Sequence, residues 1–138
     1  MTRNRTMAVA ILAAIAIIGG LAGTINGLGG EFLADRGQAL WRLYAMNTFG
    51  GLVTIAVGLI GIGTFVRRSK TMAAVTGVLF LGVTGLTLIS LGQTFNVFGG
   101  LGSTACFWLM LGIGFTALGV SPEVPEATAV SGSRASRA

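Results

Sequence analysis

Four stretches of this chain, Met7 to Leu28, Leu43 to Val66, Met72 to Leu91 and Phe98 to Val120, contain no charged residue. A helix needs roughly 20 residues to cross about 30 Å of hydrocarbon, and each stretch is long enough. The predicted fold is therefore an all-α integral membrane protein, a bundle of four transmembrane helices over residues 1–120. The last 18 residues, 121–138, contain Pro122, Pro125, Ser131, Ser133 and Ser136 and few large apolar groups, and they read as a disordered cytoplasmic tail. Composition agrees: 53% of the residues are hydrophobic and 9% charged, against about 25% charged in soluble domains. Arg3 and Arg5 ahead of an apolar core, with Gly20, Ala22 and Gly23 after it, also fit a secretory signal. The apolar run continues to Leu28, however, which is longer than a signal core requires.

The same composition removes most enzymology. With no His, four carboxylates and one Cys, general bases, haem ligands, zinc sites and thiol pairs cannot be assembled from this chain. No catalytic residue, cofactor or metal ligand is expected. The nine basic residues lie in short clusters between apolar spans and form no continuous basic surface, so nucleic acid is not an expected partner. Cys106, alone inside a span, reads as a small core residue.

Basic residues orient the bundle. A cytoplasmic N-terminus places Arg3, Arg5, Arg67, Arg68, Lys70, Arg134 and Arg137 inside and only Arg36 and Arg42 outside. Both termini are then cytoplasmic, and the location implied is the plasma membrane. The first outer loop mixes Glu31, Phe32, Leu33, Asp35, Arg36, Leu40, Trp41 and Tyr44, as a short interfacial helix leading into span two does. Trp41 and Tyr44 suit the aromatic belt at headgroup level. Glu31 and Asp35, one helical turn apart, make a candidate cation or partner site, although offset by Arg36 and Arg42 they read more simply as a solvated face.

Positions spaced 3, 4, 3, 4 stay on one helical face. Ala13, Ala16, Gly20, Gly23 and Gly27 keep that spacing in span one. Gly51, Thr54, Gly58 and Gly61 keep it in span two, following Asn47. Span three presents Thr76, Gly77, Thr84, Thr87 and Ser90. Helices in lipid associate by close backbone approach and occasional hydrogen bonds, which small and hydroxylated residues permit, so these are predicted helix-packing faces. Room for a flat cofactor such as a quinone or carotenoid is the other reading, but the chain offers no ligand to fix one.

One motif recurs. Asn47-Thr48-Phe49-Gly50-Gly51-Leu52 opens span two and Asn96-Val97-Phe98-Gly99-Gly100-Leu101 opens span four, five of six positions being identical. Gly61-Ile62-Gly63 and Gly112-Ile113-Gly114 recur at 51 residues against 49 for the first motif. The reading is a doubled helical hairpin, its copies running the same way about an axis near the membrane normal, unlike the inverted repeats of many transporters. Asn47 and Asn96 then lie at the outer end. They either cap their helices or face each other as a polar site for a small ligand or lipid headgroup.

Four spans, an Asn-led motif opening helices two and four, and an acidic, aromatic first outer loop resemble the small four-helix membrane proteins of high-GC actinobacteria classed as a family of unknown function. The resemblance covers about Phe32 to Val120. In that pattern a His follows the Asn three residues on; here those positions are Gly50 and Gly99, so no role of such a His carries over. The resemblance implies no activity.

The function expected is non-enzymatic: an accessory or structural subunit of a larger membrane complex, or a self-associating bundle. Its partners are then the lipid bilayer and a second membrane protein or another copy of the chain. The alternative is a small transporter or channel for a neutral or lipidic substrate, against which stands the lack of any Asp, Glu, Lys or Arg within the central part of a span.

Overall fold

The computed structural model describes residues 1–30, 32–33, 38–40, 44–91, 93 and 95–122. Four helices dominate it: α1 (Arg3–Gly27), α2 (Thr48–Arg67), α3 (Lys70–Ser90) and α4 (Gly102–Val120). With 25, 20, 21 and 19 residues, each is long and apolar enough to cross a membrane. At 1.5 Å per residue they run about 28 to 38 Å. Between α1 and α2 lie two short antiparallel strands, β1 (Gln38–Leu40) and β2 (Tyr44–Met46), with Ala39 opposite Ala45.

These strands correct the expected interfacial helix. The β2 backbone is used twice over, pairing with β1 and exchanging hydrogen bonds at Ala45 with the Thr104 hydroxyl of α4, and a helix there would forfeit both. For the same reason α2 starts at Thr48, five residues later than the apolar run. Glu31, Asp35, Arg36, Trp41, Arg42 and residues 123–138 lie outside the described residues.

The bundle is two close hairpins, α1 with α2 and α3 with α4, joined side by side through α2–α3 and α1–α4 contacts. Ala13, Ala16, Gly20, Gly23 and Gly27 are all buried in α1, as are Gly51, Thr54, Gly58 and Gly61 in α2 and Thr76, Gly77, Thr84, Thr87 and Ser90 in α3. Val9, Val57, Phe80, Trp108, Leu111 and Phe115 fill the space between the hairpins. Phe80 and Phe115 stack with centroids 6.1 Å apart. Ile11, Ile18, Ile25, Leu59, Val78, Ile89, Met110 and Ile113 point outward. Buried hydroxyls mostly donate one turn back, as Thr54 does to the Gly50 carbonyl at 2.8 Å and Thr84 to that of Phe80 at 2.8 Å, which removes their need for a partner helix.

Both hairpins use one clamp. A Cβ on Gly51 would stand 2.5 Å from the Thr24 amide nitrogen and 2.8 Å from the Gly20 carbonyl oxygen. On Gly77 it would stand 2.5 Å from the Thr116 nitrogen and 2.8 Å from the Gly112 carbonyl. One turn further, Gly27 faces the Thr48 nitrogen and Gly119 the Ala74 nitrogen, at 2.6 and 2.5 Å from their would-be Cβ positions. Gly20, Thr24 and Gly27 in α1 thus do what Gly112, Thr116 and Gly119 do in α4. Since α1 and α4 run oppositely, the first hairpin is tightest beside the β-strands and the second beside the chain's N-terminal end.

Candidate functional site

The polar groups of the strand end converge where the two copies of the Asn motif meet. Asn47 is the N-cap of α2, its Oδ1 accepting from the Gly50 N–H at 2.8 Å. Its Nδ2 donates to the Val97 carbonyl at 2.7 Å, and its backbone N–H to that of Phe98 at 3.1 Å. Gly50 makes the approach possible, since a Cβ there would meet the Phe98 oxygen at 2.8 Å. Above the junction Phe49 stacks on Phe98 at 5.8 Å, with Phe32 against the edge of Phe49 at 6.0 Å and Trp108 against Phe98 at 5.5 Å.

Asn96 behaves differently. Identical in sequence context, it caps no helix: α4 begins at Gly102, after Leu101. Its Nδ2 donates to the Gly100 carbonyl at 2.9 Å, closing a turn in which Gly99 takes a left-handed φ of 57°. Ser90, at the end of α3, lies 3.4 Å from Asn96 Oδ1. The equivalent glycine in the first copy, Gly50, is helical. The Asn47 amide thus reaches the backbone of the second copy, whereas the Asn96 amide bonds within its own turn and to Ser90, and both side chains are almost fully buried.

Two further residues, singled out by no sequence pattern, bind the hairpins across this end. The Thr104 hydroxyl donates to the Ala45 carbonyl and lies 3.3 Å from the Ala45 nitrogen and 3.4 Å from that of Leu101. Trp108 donates its indole N–H to Thr54 Oγ1 at 2.9 Å. Thr104, Trp108, Leu111 and Phe115 form a buried stripe with spacings of 4, 3 and 4. A Trp inside an apolar span needs a partner for its N–H, and that requirement was the available signal.

Beside the cluster opens an apolar groove of about 270 Å³, lined by Leu86, Ile89, Ser90, Phe95, Val97 and Phe98. A smaller one of about 100 Å³ lies between α1 and α4, along Leu12, Ile15, Phe107, Met110 and Leu111. Among the described residues no three His, Cys, Asp or Glu side chains converge. Cys106 is exposed rather than in the core. The candidate residues Glu31 and Asp35 lie outside the described residues, so the site as built rests on Asn47 and Asn96. Chemically it is a hydrogen-bonded joint: amide and hydroxyl groups that hold backbone, faced by aromatic rings. Comparison with known proteins found no matching family model, no matching curated protein and no matching solved structure.

Proposed function

We propose that the chain is a non-enzymatic multi-pass protein of the plasma membrane, with both termini cytoplasmic, acting as an accessory or structural subunit of a larger membrane assembly or as a self-associating bundle. One observation carries this reading: the polar groups brought together at the strand end are spent on backbone and on one another. Asn47, Thr54, Thr104 and Trp108 join the hairpins, while all four helices expose large apolar side chains. The recurrence of the Asn motif supports descent of the hairpins from one unit, although the two copies now differ in conformation. Kinship with the actinobacterial four-helix family rests on that motif and the four spans. The test is purification of the full chain in mild detergent with mass measurement. A stable assembly larger than one chain, of defined stoichiometry, is expected. A second reading, transport of a neutral or lipidic molecule, is favoured by the groove that ends on Ser90. A monodisperse monomer stabilised against heat by a small apolar compound would replace the first reading with the second.

A further inference from the structure

Two copies of one motif, identical at five of six positions, take two conformations. In the first, Asn47 Oδ1 accepts from the Gly50 N–H at 2.8 Å and α2 starts at once, at Thr48. In the second, Asn96 is followed by a turn, Gly99 takes φ 57° and α4 starts only at Gly102. Nothing in the second copy's own residues forbids the helix, since Val97, Phe98, Gly99, Gly100 and Leu101 correspond to Thr48, Phe49, Gly50, Gly51 and Leu52 of α2. The difference lies in what Asn47 does to them. Its Nδ2 holds the Val97 carbonyl at 2.7 Å and its backbone N–H the Phe98 carbonyl at 3.1 Å. Those are the two oxygens that the Leu101 and Gly102 N–H groups would take in a helix begun at Asn96. The Leu101 N–H reaches the Thr104 hydroxyl instead, at 3.4 Å. Space is no obstacle: an added Cβ on Gly102 would meet nothing within 4 Å, and a helix begun at Asn96 leaves residues 91–95 to join α3 to α4, an ordinary length for a helix hairpin. Each form satisfies the same carbonyls, by Asn47 in one and by α4 itself in the other, so the balance between them turns on a few groups.

We propose that the second copy of the motif is a conformational latch. When Asn47 releases it, Val97 to Leu101 wind onto α4, adding about one and a half turns, and Asn96 Oδ1 caps the longer helix as Asn47 Oδ1 caps α2. The change reaches beyond the segment, because Phe98 stacks on Phe49 of the other hairpin at 5.8 Å, and Phe95, Val97 and Phe98 line the groove of about 270 Å³ together with Leu86 and Ile89 of α3. The joint between the hairpins and that wall of the groove are therefore released together. The latch operates whether the chain serves an assembly or a small apolar ligand.

The test reads backbone chemical shifts of the isotopically labelled full chain in a neutral detergent. Two substitutions separate the hold from the cap. Asn47→Asp keeps a side-chain acceptor for the Gly50 N–H, Asp being as good a cap as Asn, but loses the amide donor to Val97. Gly99→Ala penalises the left-handed turn and favours helix. The unsubstituted chain gives non-helical shifts at Gly99. With both substitutions the Cα shifts of Val97 to Leu101 move to helical values, those of Thr48 to Leu52 stay in place, and the Overhauser contacts between the Phe49 and Phe98 rings are lost. Adding Asn96→Ala removes the new cap and returns the five residues to non-helical shifts. Turn-like or random-coil shifts at Val97 to Leu101 in the double variant overturn the proposal, as does a helix there that survives Asn96→Ala. If the double variant loses the α2 shifts and so its fold, Gly99→Ala alone decides: displacement of the same five residues toward helix supports the latch, and no displacement overturns it.

Discussion

Trp108 is fully buried, and its indole N–H donates to the Thr54 hydroxyl of the other hairpin. Thr54→Val keeps the shape and removes the acceptor, leaving a buried donor unpaired at a cost of about 1–3 kcal/mol. Thr84 is buried to a similar degree, but its hydroxyl donates to the Phe80 carbonyl of its own helix, so Thr84→Val is expected to change stability by less than about 0.5 kcal/mol. Thermal midpoints of the two variants in the same detergent decide it; equal losses would remove the cross-hairpin bond from the account. The two asparagines divide in the same way. Asn47→Ala loses a helix cap, about 0.5–2 kcal/mol, and a bond to the Val97 carbonyl besides, whereas Asn96→Ala loses a turn bond. Unfolding of the pair should rank Asn47→Ala as the more damaging. Asn47 was readable from sequence because Asn before a helical run is a cap wherever the chain goes next. Asn96 was not, because the helix it precedes begins only at Gly102 and its amide closes a turn instead, a difference that the recurring motif does not encode.

Stripes of small residues were legible at the element level for a simple reason: spacing on a helix maps directly onto a face, and only small side chains let two backbones come within bonding distance. What the stripes leave open is which partner each face meets and at which depth. The Gly77 contact with Thr116 and Gly112 lies at one end of the bundle and the Gly51 contact with Thr24 and Gly20 at the other. Gly77→Ala should therefore be destabilising by about 1–3 kcal/mol, the usual range for overpacking. Gly82, by contrast, has nothing within 4 Å of an added Cβ, and Gly82→Ala should gain up to about 1 kcal/mol of helix propensity. A parallel pair compares neighbours on α2: Gly58→Leu drives a side chain into Ile17 and Ala16, while Leu59→Ala trims a group that is 57% exposed. Chemical denaturation in mixed micelles reads both comparisons. Loss of stability in Leu59→Ala with none in Gly58→Leu would turn α2 around.

At the scale of the whole chain, both ends of the bundle join the hairpins, but with different chemistry: buried amides and hydroxyls beside the strands, and Arg5 on the carbonyls that finish α4 at the other end. Four apolar runs, each about twice as long as a membrane-crossing strand, were enough to foresee four helices rather than a barrel. The Ala45–Thr104 bond and the Arg5 contact join residues far apart in sequence, 59 positions in the first and 116 between Arg5 and Ser121, and no periodicity reports such a pair. Orientation follows from charge. The α2–α3 turn carries Arg67, Arg68 and Lys70, and if the chain inserts, this turn and the Arg5 end must share one side of the bilayer because an even number of spans separates them. Moving three cations outward opposes both the inner leaflet's negative surface and the membrane potential, at about 2.3 kcal/mol per charge for each 100 mV. The expected side is therefore cytoplasmic. In a Cys106→Ser background, Ser69→Cys should react with a membrane-impermeant maleimide only after the cells are opened, while a cysteine placed at position 35, in the first loop, should react on intact cells. Labelling of position 69 from outside intact cells would reverse the topology, and with it the assignment of the basic end to the inner leaflet.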